Sequence, residues 1–194
     1  RSLFLIHMYF DLKNRIYIVT GASGGIGSAL VNLLNKEGAE LFLIDTDQTS
    51  LDQLKKEQAT HQNQNYFINS NLKDFKEITD NLQKPISGII HLAGQLESDN
   101  VTTSKKPIWE RAIQNNLTNA YEIIENLIPF FDKNIVGKII LTSSLAYRRG
   151  GFDFIPYTAS KGGITGLIRA YSRKLAPEIL VNGLAPGIID TKMP

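Results

Sequence analysis

Ile16-Tyr17-Ile18-Val19-Thr20-Gly21-Ala22-Ser23-Gly24-Gly25-Ile26-Gly27 reads as a short apolar strand running into a glycine turn. Behind the turn, Ile26, Ala29, Leu30, Leu33 and Leu34 recur at the spacing of an amphipathic helix, and Gly38 supplies its stop. The pattern then repeats. Apolar runs at 41–44, 66–68, 89–92, 138–141 and 179–181 alternate with longer stretches, including helices expected over about 109–131 and 157–175. Short continuous runs of this kind suit strands buried on both faces. Their alternation with helices predicts an α/β fold: a doubly wound parallel sheet in one domain, with helices on both faces. Ligands are expected outside the carboxyl ends of the strands.

Composition narrows the function classes. At 194 residues and 42% hydrophobic content, the chain can bury one core and is too short for two comfortable domains. A net charge of +2, from 21 basic and 19 acidic residues spread along the chain, provides no basic stripe, so nucleic acid is not an expected partner. Without cysteine there is no disulfide, thiolate metal site or thiol nucleophile, and a reducing cytoplasm suits the chain. His7, His61 and His91 are too scattered to suggest a metal site. Leu3-Phe4-Leu5-Ile6 is far too short to span a bilayer, so no membrane partner is expected. Residues 1–10 read as an extension with the natural start at Met8, and 11–194 as the domain. The chain stops at Pro194 shortly after a strand and a Pro-Gly turn, which suggests a fragment lacking its C-terminal part.

The turn from Thr20 to Gly27 lies where bare backbone and a helix N-terminus can approach a pyrophosphate. Asp45 ends the second strand about twenty residues on, placed to accept hydrogen bonds from ribose hydroxyls and to repel a 2′-phosphate. No Arg or Lys interrupts the turn. NAD is therefore expected as cofactor, with NADP the lesser alternative; a plain tight turn and a strand-end carboxylate are the blander readings.

Further along, Tyr157-Thr158-Ala159-Ser160-Lys161 puts an ammonium one helical turn from a phenol. Such a neighbour favours the phenolate, and a tyrosine so placed can exchange a proton with an alcohol or carbonyl near neutral pH. Ser144 stands thirteen residues before Tyr157, with Ser143 as its neighbour. Arg148 and Arg149 would meet an acidic substrate group or lie solvated in a loop.

Together these motifs resemble the short-chain dehydrogenases/reductases in their compact single-domain form, over almost all of residues 12–193. The family's glycine turn appears as Thr20, Gly21, Gly25 and Gly27, with Ser23 and Ile26 inside it. Its Asn-Asn-Ala-Gly strand end appears altered as His91-Leu92-Ala93-Gly94, and its Pro-Gly-x-x-x-Thr turn as Pro186, Gly187 and Thr191. The resemblance implies a Rossmann-type fold and a catalytic set of Asn116, Ser144, Tyr157 and Lys161. Tyr157 would give or take the proton, and Lys161 would assist it and hold the nicotinamide ribose. Ser144 would bond the substrate oxygen, and Asn116 would anchor a water linking Lys161 to solvent. Thr191 and the backbone near Ile189 would hold the carboxamide, Asn71 and Leu72 would line the adenine pocket, and Ala93 and Gly94 would pass the adenosine ribose. The substrate would be a small alcohol or ketone, and the full-length form a homodimer or homotetramer. His91-Leu92-Ala93 also fits the extended branch, with its sugar-nucleotide epimerases and dehydratases. A dinucleotide-binding module without turnover is the other alternative.

Overall fold

The computed structural model describes residues 12–61 and 63–191; the expected extension at 1–10, the start at Met8 and the last three residues lie outside them. Six strands, β1 (Ile16–Thr20), β2 (Glu40–Asp45), β3 (Asn65–Asn69), β4 (Gly88–His91), β5 (Gly137–Thr142) and β6 (Ile179–Leu184), form one sheet. Their order is β3-β2-β1-β4-β5-β6, every pair parallel. All six coincide with the apolar runs read from the sequence. The order reverses between β1 and β4, which run side by side with Ile18 opposite Ile89.

Alternation along each strand divides the core in two. Ile16 and Ile18 of β1 join Phe42, Ile89, Ile139 and Leu141 on one face, with Tyr17, Val19, Leu41 and Leu43 on the other. The first face is covered by α5 (Asn119–Leu127), through Ile123, Ile124 and Leu127, and by α7 (Ile155–Leu175), through Ile164 and Tyr171. Tyr171 also donates its hydroxyl to Glu125 at 2.6 Å, tying the two helices together. Over the second face lie α1 (Gly25–Lys36), with Val31 and Leu34, and α2 (Gln48–Gln58), with Leu54.

Local signals explain where the helices begin and end. Asp47 caps α2 by accepting from the Ser50 N–H at 3.2 Å. At the end of α1, Gly38 adopts φ +89 while its N–H reaches the Asn35 carbonyl and the Ala39 N–H reaches that of Leu34. These are the paired bonds of a Schellman motif, which needs a left-handed residue. A ladder of amides then joins α1 to α2. Asn35 donates to Gln58 at 2.8 Å, Gln58 donates to Asn32 at 2.7 Å, and Asn63 donates to the Asn35 carbonyl at 2.5 Å.

The helix expected over 109–131 is a continuous helical path with a flaw in it. It runs as α4 (Lys106–Ala112), a wide π-turn (Ile113–Thr118), α5, and a closing 3-10 turn (Ile128–Phe130). Apolar spacing does not reveal such a turn, because one inserted residue leaves the buried stripe on the same side. Three shorter or more polar helices also escape the sequence pattern: α2, α3 (Lys76–Asn81) and α6 (Ala146–Arg149).

Replacing Gly38 with alanine forces a side chain into the left-handed region, with its Cβ 2.9 Å from Lys13 Cγ. The variant is expected to lose about 1–2 kcal/mol in urea unfolding while keeping the helix and strand content seen by circular dichroism.

Candidate active site

Where β1 and β4 part, the glycine turn and the β4 end face each other. Gly21 holds φ +65, and a Cβ there would come within 2.8 Å of the Ala93 N–H. Only glycine lets the two backbones lie so close. Beneath them, the Thr20 hydroxyl accepts from the Ala93 N–H at 3.2 Å and meets His91 Nδ1 at 2.8 Å. The ring's other nitrogen, Nε2, is buried without a hydrogen-bond partner among the described residues. His91 is fully buried, and burial with the Lys161 charge lowers its pKa to about 3. It is a neutral structural ring, as its position at a strand end suggests.

The carboxyl ends of β4 and β5 deliver the charged half of the site. Lys161 is 3% exposed, and its Nζ donates to the Thr142 carbonyl at 3.0 Å. The same Nζ lies 5.6 Å from the centre of the Tyr157 ring, one helical turn back on α7. Burial lowers the Lys161 pKa from 10.5 to about 8. Above it, Gly94 leaves the necessary gap: a Cβ there would stand 3.0 Å from Lys161 Nζ and 2.7 Å from Asn116 Oδ1.

Asn116 sits in the π-turn and is completely buried. Its amide is engaged at both ends, accepting from the Gln95 N–H at 2.8 Å and donating to the Gln95 carbonyl at 3.0 Å. The side chain thus pins the loop after β4. Gln95 was not singled out in the sequence, and a partner bonded only through its backbone carries no side-chain signature.

Ser143 and Ser144 separate cleanly. Ser143 is 4% exposed and donates to the Lys161 carbonyl at 2.7 Å, clamping α7 to β5. Ser144 is only half-buried, and its Oγ accepts from the Ala146 N–H at 3.2 Å while bordering the open cleft.

That cleft encloses about 680 Å³, room for a drug-sized or larger ligand. Gly21, Gly25, Ile26 and Gly27 border one end; Gly94, Ser144, Tyr157 and Lys161 border the other. The loop after β6 closes over the top through Pro186, Gly187, Ile189 and Thr191. Thr191 rests so close to Gly25 that a Cβ on the glycine would collide with its methyl.

Six expected residues stand apart from this cavity: Ala93 and Asn116, placed above, and Ser23, Asp45, Asn71 and Leu72. Asp45 accepts from the Ser23 N–H at 3.0 Å and the Ser23 hydroxyl at 2.7 Å, and from the Thr46 N–H at 2.8 Å, so Ser23 and Asp45 together form the outer rim of the turn. Asn71 is exposed, and Leu72 sends its side chain into the core, leaving only backbone for an adenine. The glycine cradle, the rim carboxylate and the buried lysine fit a nicotinamide dinucleotide.

Comparison with known proteins agrees with this geometry. The short chain dehydrogenase family matches residues 15–194, and the chain belongs to it. It is an enzyme of that family, acting on alcohol or ketone groups with a nicotinamide cofactor. It is 29% identical over 189 residues to a 3-oxoacyl-[acyl-carrier-protein] reductase of Thermotoga maritima, covering 94% of this chain and 77% of that one. Among solved structures, a glucose/ribitol dehydrogenase of the family from Brucella melitensis superposes with a TM-score of 0.86 at 30% identity, covering 96% of this chain and 77% of the other. A 3-oxoacyl-[acyl-carrier protein] reductase with bound NAD, also from Brucella melitensis, gives 0.81 at 25% identity, covering 94% and 74%. A short chain dehydrogenase from Shigella flexneri complexed with NADP gives 0.81 at 26% identity, covering 94% and 81%.

A lysine that is harder to charge when folded than when unfolded weakens the fold wherever it is charged. The unfolded chain holds the extra proton between about pH 8 and pH 10.5, so stability should rise through that window. The shift corresponds to about 3 kcal/mol, and losing the bond to Thr142 offsets about 1 kcal/mol of the relief. Lys161→Met should therefore be about 1–2 kcal/mol more stable than the parent at pH 7, with the difference gone by pH 10 in urea titrations.

Proposed function

We propose that the chain is an NAD(H)-dependent oxidoreductase that interconverts a secondary alcohol and a ketone, with Tyr157 giving or taking the substrate proton. One observation carries this reading: the buried ammonium of Lys161, held by the Thr142 carbonyl, lies 5.6 Å from the Tyr157 ring centre on the wall of the cleft. A charge kept against its desolvation cost beside a phenol supports acid–base chemistry. Ser144 offers a hydroxyl at the same wall to bond the substrate oxygen as charge develops on it. Asn116 acts by fixing the loop that carries Gly94, which keeps the space above Lys161 open.

The residues that would hold the dinucleotide begin on the opposite wall and run on past it. The backbone of Gly21, Ser23, Gly25, Ile26 and Gly27 would hold the pyrophosphate, and Asp45, with Ala93 and Gly94, the adenosine ribose. Asn71 and the Leu72 backbone would border the adenine, and Ile189 and Thr191, in the loop that starts at Pro186 and Gly187, would hold the carboxamide. When bound, the nicotinamide supplies or accepts the hydride. Asp45 favours NAD over NADP, because its carboxylate stands at the ribose end with no described cation among its bonding partners. Self-association into a dimer or tetramer and a cytoplasmic setting complete the reading, the latter consistent with the absence of cysteine. No described helix is long and apolar enough to cross a membrane.

Titration with NADH and NADPH, followed by nicotinamide fluorescence, tests the cofactor half. NADH should bind more tightly, and Asp45→Ala should shrink that preference by about tenfold. Equal affinities in the parent chain would overturn the choice of NAD. For the chemistry, Tyr157→Phe should bind NADH normally while losing ~100- to 10,000-fold in kcat on any ketone the parent reduces. Full activity in that variant would remove Tyr157 from the mechanism.

A further inference from the structure

The loop between Ser144 and Tyr157 carries two guanidinium groups that the proposed reaction does not use. Arg148 and Arg149 end α6, both exposed, and among the described residues neither forms a salt bridge. Their backbone is well fixed. Both N–H groups reach the Leu145 carbonyl, at 3.0 and 3.1 Å, and Gly150 follows at φ +76 with its N–H on the Ala146 carbonyl. The next residues are tied to the helix of the catalytic tyrosine. Gly151 N–H donates to the Thr158 hydroxyl at 3.2 Å, and Thr158 N–H donates to the Phe154 carbonyl at 2.8 Å. The arginines thus stand on a frame anchored one residue from Tyr157.

Position and charge agree. Arg149 borders the same cleft as Ser144 and Tyr157, and a second hollow of about 340 Å³ is lined by Leu145, Arg148 and Arg149. No aspartate or glutamate lines either space. The remaining walls of the substrate end are apolar or glycine: Leu145, Gly150, Gly151 and Phe154. Two adjacent exposed guanidinium groups, Arg149 at the cleft and Arg148 at the adjoining hollow, with no carboxylate in either lining, suit a planar or tetrahedral oxyanion held by paired hydrogen bonds.

We propose that Arg148 and Arg149 recognise an anionic group of the substrate, so that the enzyme acts on ketones bearing a carboxylate or phosphate at the end remote from the carbonyl. The inference rests on the oxidoreductase reading and assigns its substrate class. A neutral ketone of the same size would enter the same cleft but leave the guanidinium groups in water.

Matched pairs test it. Levulinate is compared with its methyl ester, and 5-hydroxy-2-pentanone phosphate with 5-hydroxy-2-pentanone, by NADH oxidation and by calorimetric binding to the parent chain and to R148A/R149A. At least one charged member should exceed its neutral partner in kcat/KM by about tenfold or more, the value of a charge-assisted bond, and rising salt should erode the margin. The double variant should lose the margin through KM. Preference for the carboxylate pair or the phosphate pair identifies the oxyanion. Turnover of neutral ketones with no charged preference in the parent, or a margin that survives in the double variant, overturns the inference while leaving the oxidoreductase reading intact. A double variant whose only change is weaker NADH binding assigns the arginines to the cofactor and also overturns it. If no ketone is reduced, the oxidoreductase reading falls, and calorimetry still decides the arginines: anion binding lost in R148A/R149A supports the oxyanion site, and absent or unchanged binding refutes it.

Discussion

The ammonium of Lys161 is the constraint around which the site is arranged, because a charge at 3% exposure is tolerable only where its surroundings are fixed. The Thr142 carbonyl is free to accept from it because β5 has just ended. Ser143 holds the Lys161 backbone against that strand end, so the donor cannot drift from its acceptor. Gly94 leaves the space above it empty of side chain, and Asn116, from a π-turn, holds the loop on which Gly94 sits. Each of these features looks local, yet each serves to keep one charge in one place.

The sheet explains why these pieces converge. With β1 and β4 adjacent and their connections leaving in opposite directions, a crevice opens at their carboxyl ends. The glycine turn and the His91–Gly94 strand end are its two floors, joined by Thr20 at the start of the turn, whose hydroxyl bonds His91 and the Ala93 N–H of the strand end. His91 illustrates how a departure from the family's usual residue is absorbed. Its ring fills the place with a single hydrogen bond and stays neutral, so the change alters packing more than chemistry.

Much of this was legible in the chain. The inner strands β1, β2 and β4 were readable because parallel strands buried on both faces must be continuously apolar, while the edge strands β3 and β6 are only partly buried. The helix α1 was readable from the glycine that its left-handed cap requires, although its buried face is Gly27, Val31, Leu34 and Asn35 and the expected Ile26, Ala29 and Leu33 are exposed. Tyr157, Lys161 and Ser144 were readable because a helical turn and a strand–helix spacing convert directly into proximity. What escaped reading was carried by backbone. The Thr142 carbonyl and the Gln95 peptide are indistinguishable from any others in a sequence, and the π-turn moves Asn116 without disturbing the apolar stripe. Asn116 also shows the limit of a motif: its identity was marked, while its bonds to the Gln95 peptide were not. Polar helices such as α2, with only three buried residues along it, give too weak a stripe to separate from loop.

The amide ladder between α1 and α2 sets the two ends of the cleft under different control. Asn32, Asn35, Gln58 and Asn63 carry no charge, so acid cannot protonate their bonds apart and salt cannot screen them. The helix that follows the glycine turn is therefore held by bonds that ignore pH and ionic strength. At the other end, a lysine that titrates near 8 responds to pH, and a pair of exposed arginines responds to salt. Solution conditions can thus change the electrostatics at the Lys161 end of the cleft while the packing of α1 stays as it is.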